Sequence, residues 1–157
     1  MGKTYTPEYQ KTRDELRFKW LMGNRDAIEF VQILTNAAEL WDDIQDCDTA
    51  SDMNLVDKAF LGMLFELPCN EFFLKHRASL FGIMMVSVNA WKDSEQLRQL
   101  SDEKLRRIAF HQRFMLLEVT KFCAFLVGGY SHMRAMSPEI TKFYAYETFE
   151  EWDVENA

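Results

Sequence analysis

Asn24-Arg25-Asp26-Ala27-Ile28-Glu29-Phe30-Val31-Gln32-Ile33-Leu34-Thr35-Asn36-Ala37-Ala38-Glu39-Leu40-Trp41-Asp42-Asp43-Ile44-Gln45-Asp46-Cys47 is a strongly amphipathic helical segment. Its apolar set is Ala27, Phe30, Val31, Leu34, Ala37, Ala38, Trp41 and Ile44, spaced by one, three or four residues as on one face of a helix. Asn24 stands where an N-cap belongs, because its side-chain oxygen can accept a free backbone N–H of the first turn. The pattern ends near Cys47, and Asp48-Thr49-Ala50-Ser51-Asp52 reads as a loop and cap. No stretch alternates with period two over a useful length, so the chain is read as all-α.

Upstream, Thr6-Pro7 is a cap followed by proline at the first helical position. A helix is expected from Pro7 to Met22, closed by Gly23. Downstream, a third helix covers Asp52 to Glu66, stopped by Pro68, and Asn70 caps the next element. Glu71 to His76 reads either as a short turn or as the start of the segment Arg77 to Lys92. That segment is apolar nearly all round (Leu80, Phe81, Ile83, Met84, Met85, Val86, Val88, Trp91), which predicts a central, buried helix. Ser101 is placed as the cap of a long helix from Asp102 to Val127, ended by Gly128-Gly129. Ser137-Pro138 opens a last helix to about Tyr146. The acidic stretch Thr148 to Ala157 is expected to fray. The expectation is a single-domain helical bundle, residues 1–157, of about six helices with one of them inside.

The composition suits a packed core, with 48 % hydrophobic residues, 13 Phe and 9 Met among 157 positions. A formal charge of −7 argues against nucleic acid, whose phosphates need a basic face. Cys47, Cys69 and Cys123 form no CxxC pair and no zinc spacing, so neither a disulfide framework nor a zinc site is indicated. The first residues lack the apolar core of a signal peptide. The run Leu80 to Trp91 is too short to cross a bilayer. A cytoplasmic protein with no membrane partner is the expectation.

Chemistry concentrates at the end of the second helix, where Glu39, Asp42, Asp43 and Asp46 put four carboxylates in eight residues. At 100° per residue Asp42 and Asp46 share one edge of the apolar stripe, Glu39 lies beside them, and Asp43 points further out. Such oxygens suit Mg²⁺, which takes one or two carboxylates with water and often a phosphate. A solvated acidic face fits the same residues. Carboxylates at a helix C-terminus oppose the macrodipole, so capping does not explain them.

Asp42-Asp43-Ile44-Gln45-Asp46 resembles the first aspartate-rich motif of the isoprenoid synthases. Phe122 to Gly129 is similar, more faintly, to an apolar helix ending in Val-Ala-Gly in the squalene and phytoene synthase branch. The resemblance implies an all-α fold, Mg²⁺ bridging aspartates to a prenyl diphosphate, Asp42 and Asp46 as metal ligands, and Asp43 as a supporting carboxylate. The chain departs from that family in having no second DDxxD or NDxxSxxxE motif and about half the usual length.

A phosphorylated small ligand needs cations opposite the aspartates. Arg106 and Arg113, seven apart on one flank of the long helix, are the candidates, with Gln112 projecting from its apolar stripe either into the core or toward a ligand. His111 and Glu118 form a weaker proton-transfer pair. No residue stands out as catalytic, and no nucleotide, hydrolase or EF-hand motif occurs. These residues support two expectations of function. One is binding of a divalent cation with a phosphorylated small molecule. The other is a non-enzymatic interaction or accessory protein, of bacterial or phage type, with an exposed apolar patch or an oligomer interface.

Overall fold

The computed structural model describes residues 7–45 and 53–155. It is an all-α helical bundle, with no strand among those residues. The helices are α1 (Pro7–Trp20), α2 (Arg25–Gln45), α3 (Met53–Leu61), α4 (Leu67–Cys69), α5 (Glu71–Leu97), α6 (Glu103–Gln112), α7 (Met115–Tyr144) and α8 (Phe149–Glu155). The length predicts one domain. Within the chain the helices form two compact units, Met1–Arg77 and Ala78–Ala157. The division falls within α5, where Arg77, Ala78 and Ser79 are all exposed.

In the first unit the helix ends obey local chemistry. At the end of α1 the Gly23 N–H donates to the Phe18 carbonyl (2.8 Å) and the Met22 N–H to that of Lys19 (3.3 Å). This is a Schellman closure, in which Met22 (φ 53°) holds the left-handed position and Gly23 (φ 66°) comes after it. A Cβ on Gly23 would lie 2.8 Å from the Phe18 ring. The Asn24 side chain accepts from the Ala27 N–H (3.0 Å) and starts α2 as expected. Asn70 does the same for α5, accepting from Phe73 (2.8 Å), and its amide also donates to the Asp26 carbonyl (2.9 Å). The expected Thr6 cap lies outside the described residues.

The third helix does not stop before Pro68. It passes through a π-turn, Gly62–Glu66, into α4, with the Leu67 N–H donating to the Gly62 carbonyl five residues back. Proline has no N–H, and its ring clashes with the carbonyl four residues earlier. A widened turn relieves the clash without ending the helix. Ala59, Gly62 and Leu67 are this segment's buried positions. The five-residue step between the last two matches the π-turn. A Cβ on Gly62 would meet Ile33 of α2 at 3.3 Å, so glycine permits the close approach of the two helices.

Of the two readings of Glu71 to His76, the structure takes the continuous one. The segment Glu71 to His76 runs without a break into Arg77 and beyond, as α5. This helix is buried along one face, at Leu80, Ser87, Trp91 and Ser94, while Phe81, Met85 and Val86 are exposed. An apolar composition on every side did not bring burial on every side, because packing neighbours cover only one face. The long helix expected from Asp102 breaks at Phe114 (ψ 69°) into α6 and α7, and its cap is Asp102 rather than Ser101. Gly128-Gly129 does interrupt the next helix, through Gly129 at φ 78° and ψ −178°. Pro138 then lies inside the second half of α7 rather than at the start of a helix.

The acidic C-terminus is not frayed over its described length, which corrects the expectation for Thr148 onward. Thr148 and Glu151 form a capping box: the Glu151 carboxylate accepts from the Thr148 N–H and hydroxyl (2.9 Å each), and the Thr148 hydroxyl accepts from the Glu151 N–H (3.3 Å). These bonds hold the Glu151 carboxyl below the usual glutamate range. Phe149 and Trp152 pack with Ala109 and Phe110 of α6 in one buried cluster. The rest of this unit's core includes Leu80, Trp91, Val119, Cys123, Ala124 and Ile140.

Candidate functional site

Along α1, Arg13, Arg17 and Trp20 succeed one another at helical spacing and are all buried. Arg13 and Arg17 meet a polar stripe of α2 formed by Gln32, Thr35, Asn36 and Glu39. Arg17 donates to the Gln32 side-chain oxygen and to the Thr35 hydroxyl (2.6 Å). Gln32 passes a hydrogen bond to Asn36 (2.7 Å), and Thr35 donates to the Val31 carbonyl (2.7 Å). Arg13 lies 3.5 Å from Glu39. Sequence reasoning misses these arginines because α1 has no strong apolar stripe to orient it. The signal that could find them is the match of two polar stripes, Arg13/Arg17 and Gln32/Thr35/Asn36/Glu39.

Glu39 is therefore the carboxylate that turns inward, toward arginine. Burial raises its carboxyl above the ordinary value of 4.5, opposed by the positive charges of Arg13 and then Arg17. A carboxyl raised in this way holds its proton more tightly folded than unfolded. The stability it lends is present below the unfolded pKa and is lost as pH rises through the higher folded value. Relative to Glu39→Gln, the wild type is expected to lose stability as pH rises above about 4.5. Urea midpoints of the two proteins at matched pH test this, and parallel curves would refute it.

The other carboxylates do not keep the geometry expected from the helical wheel. Asp42 is exposed and Asp43 half-buried, the reverse of their expected order, and Asp46 lies outside the described residues. The apolar stripe loses its cover toward this end of α2, where Trp41 and Ile44 are exposed. Among the described residues no three His, Cys, Asp or Glu side chains converge as a metal site would require.

Arg106 and Arg113, the candidate phosphate ligands, belong to the other unit, where each holds an acid of the C-terminal segment. Arg106 grips Asp153 through two nitrogens (2.7 and 3.2 Å) and donates to the Leu100 and Ser101 carbonyls (3.1 and 2.8 Å). Arg113 donates to Glu147 (2.6 Å) and lies over the Phe110 and Phe114 rings. Arg107 lies 4.1 Å from the Phe149 ring centroid and reaches Glu103 and Glu150. These contacts bind α8 to α6. Gln112 is half-buried, and its side-chain oxygen has no hydrogen-bond partner among the described residues.

The feature with no internal role lies on α3 and the π-turn. Phe60, Leu61, Met63, Leu64 and Phe65 are all exposed, the two phenylalanines at 63 % each. Only Ala59 and Gly62 face inward in this stretch, so five large apolar side chains in six positions are left to solvent. The same pair of helices also exposes Trp41, Ile44 and Met53. Among the described residues no single helix is long and apolar enough to cross a membrane. No protein-family model, curated protein or solved structure matches the chain.

Proposed function

We propose that this chain is a non-catalytic protein-interaction protein whose docking element is the segment Phe60–Phe65. The observation that carries the proposal is the exposure of Phe60, Leu61, Met63, Leu64 and Phe65 together, on the end of α3 and the π-turn that follows it. Soluble proteins scatter single apolar residues over their surface, whereas a contiguous group marks a contact surface. Phe and Met are also enriched in interface cores. Burying one such side chain is worth about 1.5–3 kcal/mol. Because the five are on average about half exposed, they offer roughly 4–8 kcal/mol before the cost of association, itself about 4–15 kcal/mol. The run alone therefore supports reversible docking rather than permanent assembly.

Replacement of a surface side chain changes stability little, by within about 0.5 kcal/mol, while loss of a core phenylalanine costs about 3–5 kcal/mol. Phe60→Ser with Phe65→Ser is expected to leave the urea unfolding curve nearly unmoved and to reduce binding of an apolar fluorescent dye. A loss on the core scale would show that these rings hold the fold together and would end the reading.

A second reading, Mg²⁺ with a phosphorylated small molecule at Asp42, draws on one observation: the last turn of α2 carries acids and no base. It expects calorimetric heat with Mg²⁺ and pyrophosphate that Asp42→Asn abolishes. Absence of that heat would dismiss it.

A further inference from the structure

The charge of this chain is unevenly placed. Between Glu39 and Glu66 there are eight acids and one base, Lys58. The remaining seventeen acids are matched by seventeen bases, so this one segment carries the whole net charge of −7. The exposed run Phe60–Phe65 lies inside it. Among the described residues, Asp57 and Glu66 bracket the run and are both exposed, as is Asp42 on the helix it packs against.

Resting on the docking role proposed above, we infer that the partner of this surface is a cationic amphipathic helix, with apolar residues at three- and four-residue spacing and Lys or Arg along its edges. The apolar run supplies contact area, and the acids around it select the sign of the rim. Met53 and Met63 add flexible, polarisable side chains that adapt to different apolar anchors. A second copy of the chain is disfavoured as occupant, because self-association would bring the exposed Asp42, Asp57 and Glu66 against their own copies. Nucleic acid and anionic membrane are disfavoured by the same sign of charge.

The test is calorimetry on the full chain with synthetic peptides of about five helical turns, built from Leu and Lys at helical spacing. Binding is expected, weakening at least about tenfold as salt shortens the screening length from roughly 10 Å toward 3 Å. The Leu/Glu counterpart and an equally charged Lys/Ser peptide are expected not to bind. Phe60→Ser with Phe65→Ser is expected to weaken the Leu/Lys complex at least about tenfold, and Asp57→Asn with Glu66→Gln several-fold. Equal binding of the Lys/Ser peptide would reduce the effect to bulk charge and overturn the inference. Equal binding of the Leu/Glu peptide would remove the role of the rim and overturn it too. A dimer in sedimentation that the Phe60/Phe65 pair of changes disrupts would assign the surface to a second copy. Absence of Leu/Lys peptide binding to the wild type, with a serine variant that stays stable, sinks this inference and leaves the docking role standing, whereas a serine variant that unfolds sinks the docking role itself.

Discussion

Arg17→Ala is expected to destabilise the first unit by about 3 kcal/mol, since hydrogen bonds to a charged group contribute about 1.5–3 kcal/mol each. Arg17 is only 1 % exposed and spends two of its nitrogens on Gln32 and Thr35. Truncation removes those bonds, leaves both acceptors inside, and opens a cavity where the stem packed. One effect opposes the loss: a buried guanidinium no longer has to be desolvated. Arg17→Met separates the two contributions, because it keeps most of the volume and drops the charge. It loses the same hydrogen bonds and keeps the packing of the stem, so it is expected to cost less than alanine by the stem's share. Hydrogen exchange at the α1 and α2 amides, with urea unfolding, reads both variants. Equal losses for alanine and methionine would mean that the stem contributes nothing. A methionine variant as stable as wild type would mean that the polar network is energetically neutral.

Trp152→Ala is expected to cost about 3–5 kcal/mol and to release α8. Trp152 is 6 % exposed, and its ring lies 5.6 Å from that of Phe110 and 6.1 Å from that of Phe149. Three arginines of the α6 region also hold Asp153, Glu150 and Glu147. Of these contacts, the Arg107–Glu150 pair is well exposed and screened by solvent, so it contributes little. Aromatic burial therefore outweighs it, and a helix of seven residues has little stability of its own. Limited proteolysis between Tyr144 and Thr148, read together with unfolding, checks the expectation. Protection of that stretch in the alanine variant, with a loss under about 1 kcal/mol, would show that the ion pairs hold α8 instead.

The signals legible in the sequence are those that act over one turn. Asn24 and Asn70 cap α2 and α5 because a side-chain amide needs only the next turn of its own chain to act. Gly23 and Gly128-Gly129 mark real breaks for an equally local reason. Thr148 and Glu151 have the spacing of a capping box and so announce α8, although the acidity around them argues for fraying. Pro68 argues for a stop, yet a helix supported on one side by α2 can widen around a proline and continue.

What the chain determined unaided is its all-α character and most of its helix starts, since periodicity and capping act within a few residues. Tertiary structure alone decided which faces those helices bury. It turned Glu39 and two arginines inward, engaged Arg106 and Arg113 with the acids of the C-terminus, and left Phe60–Phe65 in solvent. Burial is a property of neighbours that arrive from elsewhere in the sequence, and a helix wheel drawn from one segment holds no record of them.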